Sequence, residues 1–162
     1  NSSVMSEEPS IRSRRIAEKL VENLLKVFGE KLVSVALFGS AARGEAREDS
    51  DIDLLIVIED LPKDRFERYE LYREAEERLG DEASRISPIL KTPEEASRIT
   101  PLYLDLVEDS IILYDKGGFL RGILERLRKR LKELGAKRVR SGKCWYWILK
   151  PDLKFGEVIE IE

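Results

Sequence analysis

Residues 39–53, GSAARGEAREDSDID, gather side chains that could handle phosphate. Asp51 and Asp53 stand at the head of an apolar run, Leu54, Leu55, Ile56, Val57 and Ile58. Residues two apart on a strand project from one face. The two carboxylates would therefore repel each other unless water or a cation compensates. Mg²⁺ is a suitable cation, because it takes oxygen ligands and binds substrate phosphates beside them. Ahead of the pair, Gly39 lets the backbone approach a ligand closely. Ser40 offers a hydroxyl and an N–H at the start of a helical turn, a cradle for phosphate. Arg43 adds a fork of donors for phosphate oxygens or for bracing a carboxylate, and Gly44 lets the chain turn back. Such a set suits in-line displacement at a nucleotide phosphate. Each piece alone is commonplace: a Gly-Ser turn, or a solvated acid at a strand's start. Their combination at this spacing, between two strands, is informative.

The surrounding elements must position these groups. Residues 31–38, KLVSVALF, read as a strand that delivers Gly39 and Ser40 to the turn, and DIDLLIVIED reads as a second strand, apolar on both faces beyond Asp53. Before them, Ser10 is placed to cap a helix whose Ile16, Leu20, Leu24 and Val27 form one stripe. DRFERYELYREAEERLG reads as a helix with a broad apolar side of Phe66, Tyr69, Leu71, Tyr72, Ala75 and Leu79. SRISPILKT is a third strand, which Pro88 confines to an edge or a bulge. Thr92 caps a helix opened by Pro93, Pro101 starts another, and IILYD is extended. Leu120, Leu124, Leu127, Leu131 and Leu134 stripe a helix that Gly135 stops, and the remainder has β character. The order predicts an α/β class: a tail over 1–9, a mixed α/β domain over 10–116, and a helix-plus-β extension over 117–162.

Composition excludes several chemistries. The 162 residues contain no His and a single Cys144, so a His-assisted base, a His–metal site and a cysteine zinc site are ruled out. Charged residues make up 38%, well above an ordinary soluble protein, and fit a thermophilic source. No apolar run is long enough for a membrane span, and the start lacks the order of a signal peptide, so a cytoplasmic protein is expected. The net charge of −3 is unevenly spread, since residues 116–143 carry eleven Lys or Arg against Glu125 and Glu133. That segment reads as a solvated helix face and loop, or as a surface for an anionic partner such as RNA.

The arrangement Gly39-Ser40, Arg43-Gly44 and Ser50-Asp51-Ile52-Asp53-Leu54-Leu55 resembles the signature of the polymerase-beta-like nucleotidyltransferase superfamily, and within it the minimal nucleotidyltransferases. The resemblance covers about residues 12–115. It implies a nucleotidyltransferase fold, a mixed sheet flanked by helices, here with a C-terminal helix and a small β element. It implies Mg²⁺ held by Asp51 and Asp53, and a nucleoside triphosphate contacted by Gly39, Ser40, Arg43, Gly44 and Ser50. The reaction implied is transfer of a nucleoside monophosphate to a hydroxyl of a protein or an RNA. A HEPN-type partner protein, with this chain as its antitoxin, follows from the same resemblance.

One feature departs from the pattern. Active relatives carry a third carboxylate on the strand after the next helix, and SRISPIL contains no acid. Asp81, Glu82 and Asp105 lie nearby in sequence and read as solvated helix acids. Two other readings therefore stay open: a weak or inactive module that binds nucleotide or a partner, and an RNA-binding protein using the basic 116–143 segment. Trp145, Tyr146 and Trp147, with Lys150 and Lys154, read as packing of a small β element or as a base-stacking platform.

Overall fold

In the computed structural model, residues 7–141 and 144–148 are described. Helix α1 (Pro9–Phe28) leads into strand β1 (Leu32–Phe38), a short helical turn at Gly39–Ala41, and strand β2 (Ile52–Ile58). Helix α2 (Arg65–Glu77), strand β3 (Ile86–Lys91), helices α3 (Pro93–Ala96) and α4 (Leu102–Asp109), strand β4 (Ile111–Asp115) and helix α5 (Phe119–Glu133) follow. Strands β5 (Lys137–Ser141) and β6 (Cys144–Ile148) form an antiparallel ribbon. The main sheet has the order β3-β2-β1-β4. β1 is antiparallel to both neighbours, while β2 and β3 run parallel. This is the mixed sheet flanked by helices that the sequence predicts.

Both faces of the sheet are covered, which explains the continuous apolar runs of β1 and β2. On one side Ile16, Leu20 and Leu24 of α1 pack with Leu37, Leu54, Ile56 and Tyr72. On the other, Tyr103 and Leu106 of α4 and Leu120, Leu124, Leu127 and Leu131 of α5 pack on Val33, Ala36, Leu55 and Val57. Each fully buried leucine contributes about 1.5–3 kcal/mol by leaving water. The leucine stripe thus makes α5 the layer that closes the second face. Asp115 anchors its start: its carboxylate accepts the N–H groups of Leu120 and Arg121, both at 2.9 Å, and the Ser34 hydroxyl at 2.5 Å.

Two local readings are corrected. Glu8, not Ser10, caps α1, its carboxylate accepting the Ile11 N–H at 3.1 Å. Ser10 is buried instead, and its hydroxyl accepts the Ala46 N–H at 3.0 Å, tying the helix to the turn region. On α2, Phe66 and Leu71 are exposed, whereas Arg68 is buried. Arg68 takes an interior place beside Tyr72 because it has partners there. It donates to both Glu95 carboxylate oxygens at 2.7 and 2.9 Å and to the carbonyls of Pro62 and Leu90. β3 is an edge strand, as Pro88 requires, and Thr92 and Glu95 form a reciprocal cap on α3.

Candidate active site

β1 and β2 deliver the opening cluster to one end of the sheet. In their register Phe38 lies opposite Asp53, so the residue after Phe38 stands directly against that carboxylate. Gly39 occupies this place with φ of 77°, in the left-handed region. A Cβ on Gly39 would fall 2.3 Å from Oδ2 of Asp53. The turn beyond is held by its own backbone. The Ala42 and Arg43 N–H groups donate to the Gly39 carbonyl at 3.1 and 3.2 Å, and the Glu45 N–H donates to the Ser40 carbonyl at 2.8 Å. Gly44 also adopts a positive φ, 76°, which reverses the chain. The Ser50 hydroxyl accepts the Arg47 N–H at 2.8 Å and closes the turn that leads into Asp51.

Asp51 is exposed and Asp53 is half-buried. Burial raises the Asp53 carboxyl above its ordinary range, the nearby Asp51 charge raises it further, and Arg43 opposes both. The like-charge strain expected from the sequence is therefore present. Among the described residues no group of three or more acids or thiols is close enough to hold a metal ion. Asp51 and Asp53 remain a two-carboxylate donor set of hard oxygens, which fits Mg²⁺ completed by triphosphate oxygens and water. In the parallel pairing of β2 and β3, the position opposite Asp53 is Ser87, which is exposed. The neutral residue thus stands where a strand-borne third acid would sit. Cavities open elsewhere, including one of about 440 Å³ along the outer side of β3 between Lys63, Tyr69, Pro88 and Lys91.

Several charged groups beside this cluster carry no signature in the sequence. Arg43 donates to Glu45 at 3.1 Å and lies 3.9 Å from Asp109 on α4. Glu45 also accepts from Arg140 of β5 at 2.8 Å, and Asp109 accepts from Arg138 of β5. Arg43 and then Arg140 hold the Glu45 carboxyl below its usual range. Asp105, one turn before Asp109, is raised by desolvation and opposed by Arg138 and Arg43. The i, i+4 pair Asp105 and Asp109 on α4, which also carries Glu108, was the available clue, and it is indistinguishable from an ordinary wet helix face. The basic segment is thus partly spent on internal pairs, while Arg121, Arg126, Lys129 and Lys132 of α5 stay exposed. Lys143, Lys150 and Lys154, and the side chains of Trp145, Tyr146 and Trp147, lie outside the described residues.

Comparison with known proteins identifies relatives of this chain. The profile of the nucleotidyltransferase domain matches residues 15–129. A Methanocaldococcus jannaschii protein, provisionally named a protein adenylyltransferase (MJ1305), is 35% identical over 139 residues, covering 79% of this chain and 95% of the relative. A Sulfolobus solfataricus structure provisionally described as a nucleotidyltransferase aligns with a TM-score of 0.48 at 23% identity, over 69% of this chain and 92% of that one. A structure of a tri-AMPylated Shewanella oneidensis HEPN toxin with its MNT antitoxin aligns with a TM-score of 0.45 at 20% identity, over 76% and 92% of the two chains. On the domain matched over most of its length and the M. jannaschii relative covered almost end to end, the chain belongs to the nucleotidyltransferase family.

Proposed function

We propose that this nucleotidyltransferase is Mg²⁺-dependent and moves a nucleoside monophosphate, AMP in the first instance, from the triphosphate to a hydroxyl on a protein. The observation that carries the reading is the contact between Gly39 and Asp53. It sets a phosphate-binding turn directly against a carboxylate pair whose charges need a cation. The preference for AMP and for a protein acceptor is supported by the name of the M. jannaschii relative. A HEPN-type partner as that acceptor follows from the family resemblance.

In this mechanism Asp51 and Asp53 would hold Mg²⁺, which would supply neutralisation of triphosphate charge when bound. Gly39 leaves the space beside Asp53 open, and Ser40 binds phosphate oxygens through its hydroxyl. Arg43 braces the turn through Glu45 and Asp109 and offsets the acidity around Asp53. The acceptor oxygen forms a bond to the α-phosphorus while the bond to the bridging oxygen breaks. Pyrophosphate departs with the electron pair, and the hydroxyl proton leaves to water. Ser87 opposite Asp53 favours a second reading, a nucleotide-binding module with slow chemistry, because β3 supplies no carboxylate to take that proton.

The test is incubation with Mg²⁺ and α-labelled ATP, CTP, GTP or UTP in a source-cell lysate. Label from ATP on a protein, lost with Asp51→Asn and Asp53→Asn, supports the proposal. Label on RNA corrects the acceptor. Tight nucleotide binding without transfer supports the second reading, and no Mg²⁺-dependent binding overturns both.

A further inference from the structure

The charged side chains around Arg43 alternate in sign along a chain of contacts that crosses three elements. Arg140 on β5 meets Glu45 after the turn at 2.8 Å, and Glu45 meets Arg43 at 3.1 Å. Arg43 meets Asp109 on α4 at 3.9 Å, and Asp109 meets Arg138 on β5, which also reaches Glu108 at 3.7 Å. The inner members are shielded: the side chains of Arg43, Asp109 and Arg138 are 21%, 17% and 12% exposed. Ion pairs in such surroundings feel less screening than surface pairs and fix side-chain direction.

We infer that Arg138 and Arg140 are positioning residues for the nucleotide site, acting through Arg43. Without them, among the described residues, Glu45, Asp105 and Asp109 would be left to Arg43, beside the acidic pair Asp51 and Asp53. Arg43 would be drawn wholly to those acids, and the local field would repel a triphosphate. With both arginines present, Glu45 and Asp109 are each shared between two cations. Arg43 keeps its field on Asp53, and the Gly39–Gly44 turn is held at both ends, since the Glu45 N–H also binds the Ser40 carbonyl at 2.8 Å. Strand β5 thereby becomes an electrostatic wall of the site rather than an appendage. This inference rests on the nucleotide reading of that site.

The test measures two quantities in the full chain: affinity for a non-hydrolysable ATP analogue with Mg²⁺, and the NMR signal of the Arg43 Nε–H. Arg138→Ala and Arg140→Ala should each weaken affinity about tenfold and displace the Arg43 signal. Arg138→Lys and Arg140→Lys should recover most of the affinity, and Lys129→Ala on the exposed face of α5 should change neither. Because an alanine variant could loosen the ribbon itself, Glu45→Gln in the Arg140→Ala background is the second probe. Removing the unbalanced acid should restore part of the affinity. Alanine variants that bind within twofold of wild type, or an Arg43 signal that stays in place, would overturn the inference. A wild-type chain that binds no nucleotide overturns the functional reading instead, and the Arg43 signal then judges the coupling by itself.

Discussion

The Cβ that Gly39 lacks would lie 2.3 Å from Oδ2 of Asp53, well inside any tolerable contact. Gly39→Ala must therefore move either the turn or the carboxylate, and it also places a side chain at a positive φ, which costs about 1–2 kcal/mol. The expected outcome is a folded protein with a lower Tm and a loss of nucleotide transfer of roughly a hundredfold, since small misplacements at a reacting centre are that expensive. Transfer assays beside thermal melts check it. An alanine variant with wild-type turnover would show that the contact does not position the site.

Asp53 should oppose stability while serving the site. Burial, and secondarily Asp51, raise its folded-state pKa above the unfolded value. The fold therefore holds the proton more tightly than the unfolded chain does. The Asp53 contribution to stability is therefore most favourable at low pH and falls as pH rises through the unfolded and then the folded value. At pH 7 without Mg²⁺, Asp53→Asn should raise the Tm while abolishing Mg²⁺-dependent nucleotide binding. A lower Tm, or binding left intact, would contradict the assignment.

Ser87 gives a gain-of-function prediction. It pairs with Asp53 across β2 and β3 and is exposed, so an acid there meets no packing obstacle. Ser87→Asp should lower the Mg²⁺ concentration needed for half-maximal nucleotide binding by about tenfold, as a third oxygen donor joins the pair. Titration of Mg²⁺ against a fluorescent nucleotide reads this directly. An unchanged requirement would mean that β3 does not present its residue to the metal.

The Arg68–Glu95 pair should set acid stability. Hydrogen bonds from Arg68 hold the Glu95 carboxyl down to about 2. A depressed folded-state value contributes stability that is complete above the unfolded value near 4.5 and is lost as pH falls towards 2. Glu95 has a side chain 35% exposed, so solvent screening reduces the contribution to about 1–2 kcal/mol. Denaturant melts of wild type and Glu95→Gln should differ by that amount at pH 6 and converge near pH 2. A constant gap between them would refute the linkage.

Much of this architecture was legible because periodicity reports burial. The leucines of α5 repeat at helical spacing and do face the core, and Pro88 does mark an edge strand. The position of Asp51 and Asp53 at the head of β2 was legible because acids ahead of an apolar strand are conspicuous. On α2 the same logic failed. Phe66 and Leu71 count as apolar in any pattern, yet Arg68 takes the interior place, since Glu95 and the Leu90 carbonyl wait there from a later segment, with the Pro62 carbonyl from just before the helix. Ser10 misled in a similar way, its hydroxyl being claimed by Ala46 rather than by its own helix. The chain of ion pairs from Arg140 to Arg138 joins residues 43, 45, 109, 138 and 140, and no local pattern announces a contact spanning 95 positions.

The strand order β3-β2-β1-β4 also bears on how the chain is made. β1 and β2 can pair as soon as residue 58 emerges from the ribosome, but Val33, Ala36, Leu55 and Val57 then wait for α4 and α5 to cover them. Until about residue 131 has emerged from the ribosome, the nascent chain carries an uncovered apolar sheet face. Chains interrupted before α5 should be held by chaperones or aggregate, while chains interrupted just after it should fold. A ribosome-stalling series would show folding switch on as α5 clears the exit tunnel, so α5 sets the moment at which translation yields a protein instead of a hazard.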